Sequence, residues 1–255
     1  MGIGYILGCL ISIIFWKVER QVVFRTSDKI LKKRLKYKIL MNIFYMIFIF
    51  FVYNLMEIGP KGEMINFIIA FIVIDISNSE KKNLEHEGPI KFYGSITLAC
   101  KSILCGFVAP LFYIALFSNT VGIIYFLIYN ISEIKDYDLF KILNNILNIV
   151  PALIIQIFFY YIYIFRNKKF EIDFKGDYIK NSITKPLLNI EIMAAYIESI
   201  NFYHHFEKNS INYIKEYGGY NSKIDEYCIK DYLSVTYALS FIFFAMFMGV
   251  VFLYK

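Results

Sequence analysis

An all-α, polytopic integral membrane bundle of about six transmembrane helices is the fold class the sequence predicts, and three observations predict it. The chain of 255 residues is 58% hydrophobic and only 19% charged, with a mean hydropathy of +0.52, which is more apolar surface than a soluble core needs. Uncharged runs fill residues 39–56, 143–165 and 233–254, each within the ~17–25 residues that cover a hydrocarbon core. The net charge of +6 is gathered in clusters between apolar runs, a pattern that points to cytoplasmic loops and anionic lipid headgroups and away from nucleic acid.

Taken in order, residues 3–16 form a short apolar stretch with neither a basic leader nor a small-x-small cleavage site, and they read as a retained membrane segment. Residues 17–38 carry nine Lys and Arg against Glu19 and Asp28 and read as a basic loop. After the clear span at 39–56 comes a shorter one at 64–74, closed by Asp75, which reads as the start of an interfacial loop. Residues 102–131 are broken at 117–122 by Phe-Ser-Asn-Thr-Val-Gly, as in a hairpin or in one crossing followed by a re-entrant piece. Counted as one crossing, they give six crossings that leave residues 17–38 and the six basic residues of 166–185 together in the cytoplasm. Residues 186–203 open on a proline suited to a first helical turn and space Asn189, Glu191, Glu198 and Asn201 at helical period. Residues 204–232 are polar and hold the Gly218-Gly219 turn signal. The chain is thus a single membrane domain over 1–255, with a polar loop and amphipathic helix region at 166–232.

Chemistry-bearing motifs are sparse. The four cysteines have no metal-ligand spacing, and three lie in apolar stretches. His86 stands alone, and His204 and His205 are neighbours at an expected helix end, where adjacent side chains diverge, so no metal site is read from them. Phosphate-loop, dinucleotide and nucleophile-elbow motifs are absent. More informative is the run Asn144-Asn145-Ile-Leu-Asn148-Ile-Val-Pro151-Ala152 inside an apolar span. Asn144 and Asn148 share one helical face, and such amides either join helices by hydrogen bonds or line a polar cavity.

The order of segments is recognisable. Residues 106–117 read Gly-Phe-Val-Ala-Pro-Leu-Phe-Tyr-Ile-Ala-Leu-Phe, residues 125–130 read Tyr-Phe-Leu-Ile-Tyr-Asn, and residues 143–152 read Leu-Asn-Asn-Ile-Leu-Asn-Ile-Val-Pro-Ala. This resembles the CobD/CbiB family, the adenosylcobinamide-phosphate synthases of cobalamin biosynthesis, over about a fifth of the chain. Gly106, residues 109–113, Asn130, Asn148, Pro151 and Ala152 stand at matching positions. Where the family has Glu-Asn-x-x-Asp-Gly, this chain reads Lys101-Ser102-Ile-Leu-Cys105-Gly106; the family's Asp-Asp pair is Asn144-Asn145, and the arginine after Pro-Ala is Leu153.

The resemblance implies a cell-membrane, multi-pass protein related to the enzyme that amidates a corrinoid acid with aminopropanol or its phosphate, with ATP and Mg²⁺ as cofactors if that reaction is retained. It implies substrate-binding roles for Lys101, Ser102, Gly106, Asn130, Asn144, Asn145 and Asn148. Neutral amides cannot offset metal charge or accept a proton near neutral pH, so the replaced carboxylates predict altered or lost catalysis unless Asp75, Glu133 or Glu191 substitutes. Two other functions fit the same residues. A catalytically degenerate scaffold, sensor or membrane-protein partner would use the amides as helix contacts, and a transporter would use Ser118-Asn119 and Pro151 as helix breaks.

Overall fold

A computed structural model describes the chain except for residues 1, 16–17, 36, 77–89, 209–210, 221–225 and 255. The protein is an all-α bundle: α1 (Ile3–Ile14), α2 (Arg20–Arg34), α3 (Lys38–Ile58), α4 (Glu63–Val73), α5 (Ile90–Ile103), a π-helical segment (Leu104–Val108), α6 (Ala109–Leu116), α7 (Asn119–Ser132), α8 (Asp138–Asn167), α9 (Tyr178–Thr184), α10 (Pro186–Ile197) and α11 (Glu226–Tyr254). A two-stranded antiparallel ribbon, β1 (Phe202–Lys208) and β2 (Ile211–Tyr217), precedes α11. Among the described residues, four stretches are long and apolar enough to cross a membrane: Lys38–Ile58, Ile96–Leu116, Asp138–Asn167 and Lys230–Leu253. Helix α3 has only Met41 and Tyr45 buried and packs Ile49, Val52 and Met56 partly against the core, while most of its other large apolar side chains face outward, as suits a surface bathed in lipid.

Helices α1 and α4 pack side by side through two glycines one turn apart. A Cβ on Gly4 would lie 2.1 Å from the Glu63 carbonyl oxygen, and one on Gly8 would lie 2.4 Å from that of Phe67. Small residues four apart let two membrane helices close to backbone contact. Glu63 then caps the α1 N-terminus, its two carboxylate oxygens accepting from the Gly2 and Gly4 amides at 2.9 and 2.7 Å.

Residues 102–131 form a hairpin. Ser118 caps α7, accepting from the Val121 amide at 3.4 Å, and α7 folds back on α6 with Gly122 against Ile114. At 14 residues α7 is ~21 Å long, short of a hydrocarbon core, and it is almost wholly enclosed by protein. Of the two readings of this stretch, the structure shows a span-length stretch, Ile96–Leu116, followed by a short helix that folds back inside the protein.

Residues 20–34, expected as loop, form helix α2. Their Arg, Lys and Gln content is good helix former, and Gln21 and Asp28 turn one face inward while most of the cations stay outside. Asp28 accepts from the hydroxyls of Tyr45 (3.2 Å) and Tyr137 (2.5 Å) and pairs with Lys32 at 2.8 Å, which ties α2 to α3 and to the start of α8. The segment expected to be amphipathic, α10, is buried on nearly every side, because α8 and α5 cover it. Its Asn189 amide donates to the Tyr178 carbonyl and the Ser182 hydroxyl, both at 2.9 Å. His204 and His205 lie on strand β1 instead of a helix end, and successive strand residues point to opposite faces. His86 lies outside the described residues.

Candidate functional site

Two prolines inside helices shape the centre of the bundle by what they fail to do. Pro110 has no N–H to give the carbonyl four residues back, which belongs to Gly106. That carbonyl instead accepts from the Asp75 amide at 3.0 Å. The helix widens into the π-helical turn Leu104–Val108 just there, a distortion that is frequent at functional sites. Glycine is required at 106, since a Cβ would lie 2.1 Å from the Asp75 carbonyl oxygen. Pro151 likewise leaves the Leu147 carbonyl free, and the Tyr113 hydroxyl donates to it at 2.7 Å. Each carbonyl freed by a proline is taken by a donor from another segment of the chain.

Around this opened helix runs a stripe of polar groups. Thr97, Lys101 and Cys105 follow at intervals of four and so share one face of α5 and the π-helical turn. Thr97 hydrogen-bonds Glu191 of α10. The Lys101 Nζ lies 2.5 Å from the Glu133 carboxylate just past α7. Cys105 meets the Tyr125 hydroxyl and Asn148. Tyr125 donates to Asn148 Oδ1 at 2.8 Å, and Asn148 Nδ2 donates to Asn144 Oδ1 at 2.9 Å. Two carboxylates thus stand along one stripe, Glu191 beside Thr97 and Glu133 on Lys101, while Asp75 meets the neighbouring Gly106 through its backbone.

Asp75 is itself anchored. Arg20, buried at the start of α2, donates through one terminal nitrogen to the Ser12 hydroxyl (2.7 Å) and the Phe71 carbonyl (2.5 Å). Its other terminal nitrogen lies 3.7 Å from the Asp75 carboxylate, and the guanidinium sits 5.1 Å from the centre of the Phe71 ring. The Ser12 hydroxyl donates in turn to the Ile74 carbonyl at 2.5 Å. The residue expected to begin a loop is therefore held from the α1–α4 pair.

Of the residues singled out in the sequence, Lys101, Gly106, Asn144 and Asn148 come together on this stripe. Ser102 does not: one residue is ~100° on a helix, so it faces α1 and α11, where its buried hydroxyl has no hydrogen-bond partner among the described residues. Asn145 turns away as well and donates to the Thr184 carbonyl at 3.2 Å. Asn130 is buried and gives its amide to the Phe126 carbonyl of its own helix at 2.9 Å. Cys105, Tyr125 and Arg20 are members of the cluster that sequence reasoning misses. The i, i+4 pair Lys101 and Cys105 is the available signal for the first; nothing local marks the other two.

A second polar knot lies at the far end of α8. The Arg166 guanidinium straddles the Glu198 carboxylate, at 3.0 and 3.4 Å, and also pairs with Asp231. Burial pushes the Glu198 carboxyl up to about 7, against the opposing pull of Arg166 and with Asp231 adding repulsion. In the ribbon, burial lowers the His204 imidazole to about 4, with Lys185 and His205 adding to the effect, so it is neutral near pH 7.

Chemically, the stripe offers hydrogen-bond donors and acceptors, one cation and two carboxylates in an apolar surround. Its donor set does not fit Mg²⁺. Among the described residues no three Asp, Glu, His or Cys side chains converge on one point, and a divalent cation of this size asks for a shell of oxygens near ~2.1 Å. The chain matches no protein-family model, no curated protein and no solved structure.

Proposed function

We propose that the protein is a CobD/CbiB-like component of cobalamin biosynthesis in the cell membrane, with the Lys101–Asn148 stripe as its site for a corrinoid acid. One observation carries the reading: the three stretches that bear the resemblance, residues 106–117, 125–130 and 143–152, pack against one another around the buried stripe. Polar groups buried in a membrane bundle are costly and rarely without function. Amides, a lysine and a tyrosine hydroxyl suit a ligand that is itself rich in amides and bears a carboxylate. Amide formation needs a group to take the amine proton. Glu133 is engaged by Lys101, so that role falls to Glu191, which Thr97 holds on the same stripe.

A degenerate scaffold is the second reading, favoured by the way Tyr125, Asn148 and Asn144 satisfy one another in series. Titration of the detergent-purified protein with cobyric acid, followed by the visible absorption of the corrinoid, separates the two. Saturable binding that Asn148→Leu weakens at least ~10-fold, the value of one or two hydrogen bonds, supports the first; no binding supports the scaffold. Complementation of a synthase-deficient strain then reads catalysis, and growth slower than with an intact synthase is expected.

A further inference from the structure

The face of α5 opposite the polar stripe borders a cavity of about 280 Å³ between α1, the π-helical turn and α11. Its walls are apolar, with Ile103 and Phe107 at the back and Phe244 on α11. The mouth is formed by Leu10, Ile13 and Phe241, which are exposed on the outside of the bundle. The opening therefore faces whatever surrounds the spans, and for α11, a helix long and apolar enough to cross a membrane, that is lipid.

Water is a poor occupant, because an ordered water needs two to four polar partners. Thr236 and Ser240, also in the wall, already give their hydroxyl protons to the Leu233 and Thr236 carbonyls at 2.7 and 2.9 Å. Of the Ser and Thr hydroxyls in the wall, the one whose proton is unspent among the described residues is that of Ser102, which is buried. It shares the wall with Ile103, Phe107 and Phe244, which are apolar. An occupant must be apolar along most of its length and present one acceptor to Ser102.

We propose that this cavity holds one acyl chain of a membrane phospholipid, with the chain's ester carbonyl accepting from Ser102 Oγ. The volume, just under the ~300–1,000 Å³ of drug-sized ligand sites, suits a single chain and excludes a helix of a partner protein. Lipid held there wedges α11 against α5 and so backs the helix whose other face carries Lys101 and Cys105.

The test uses the full chain, delipidated in detergent, with a phosphatidylcholine carrying a diazirine on one acyl chain. After irradiation at stoichiometric lipid, labelled residues are mapped by mass spectrometry. Label is expected at Ile103, Phe107 and Phe244 above that at Phe51 on the exposed side of α3, which serves as the annular-lipid reference. Ala99→Phe fills the cavity and removes the label at Phe107 while leaving that at Phe51. Ser102→Ala weakens cavity labelling roughly 2- to 10-fold, the value of one neutral hydrogen bond. Ser240→Leu, a smaller filling change on α11, gives the same loss if Ala99→Phe does not fold. Cavity label no higher than at Phe51, or unchanged in the filling variants, overturns the proposal.

Discussion

Replacing Gly106 with alanine tests the π-helical turn and its contact with Asp75 in one step. The added methyl would stand 2.1 Å from the Asp75 carbonyl oxygen, where ordinary contact begins near 3.4 Å, so Asp75 or the helix must retreat by about 1.3 Å. Retreat stretches the 3.0 Å bond from the Asp75 amide to the Gly106 carbonyl and pulls on the Arg20 contact at 3.7 Å. Overpacking of this kind costs ~1–3 kcal/mol and the lost hydrogen bond ~1, offset by up to ~1 kcal/mol from alanine's better helix propensity. The net is a destabilisation of about 1–3 kcal/mol, or a fall in melting temperature of ~2–10 °C for a chain of this size. Buried Cys9, Cys100 and Cys105 supply the assay, since a thiol-reactive fluorogenic dye lights up as they are exposed on heating in detergent. Gly249→Ala is the control, because nothing lies within 4 Å of its added methyl, and it should melt at or slightly above the wild type. A Gly106→Ala protein that melts no lower than Gly249→Ala would refute the close contact and the reading of the wide turn built on it.

Three further outcomes follow from the same contacts. Arg20→Met removes the cation beside the buried Asp75 carboxylate and should cost up to ~3–5 kcal/mol, with Arg20→Met/Asp75→Asn recovering part of the loss in the same melt. Tyr113→Phe should cost about 1 kcal/mol in the wild type and little in a Pro151→Ala background, where the restored helical N–H satisfies the Leu147 carbonyl; an equal cost in both would show that the proline is not what frees that carbonyl. The raised Glu198 carboxyl, at about 7 against an ordinary 4.5, favours folding when protonated, so its stabilisation is complete below about pH 4.5 and is lost as pH rises through about 7. The melting temperature should therefore fall between about pH 5 and 8 in the wild type and much less in Glu198→Gln, and identical pH profiles would exclude the assignment.

Run length alone locates α3, α8 and α11, because a helix in lipid must be long and uncharged and nothing else competes with that signal. The hairpin of α6 and α7 is harder. Its break at residues 117–122 is visible, but α7 is enclosed by protein, and a helix relieved of contact with lipid need not be as long as a span. Helix α2 is hidden by the very charges that make it helical. The ribbon strands, 202–208 and 211–217, are hidden by a polar composition that fits loop as well as strand. At the site, Asn144 and Asn148 are legible as a pair by their spacing, whereas Ser102 and Asn145 group with their sequence neighbours although a helix sends adjacent residues to different faces. Arg20 and Asp75, far apart in the sequence, meet only through the packing of α1 on α4, and no local pattern records such a meeting.

The wide turn at Leu104–Val108 also bears on how this chain can be aligned with distant relatives. A π-helical turn holds one residue more than an α-helix would place there, so it is an insertion frozen into the middle of a helix. Deleting one of its residues would let the helix close into a regular α-helix while leaving the parts before and after the turn in nearly the same relative orientation. Lys101 would stay near Glu133 and Tyr113 near Leu147, and what would change is the turn's own contact of Gly106 with Asp75. A gap of one residue between Lys101 and Pro110 is therefore what an alignment with relatives that lack the wide turn would show.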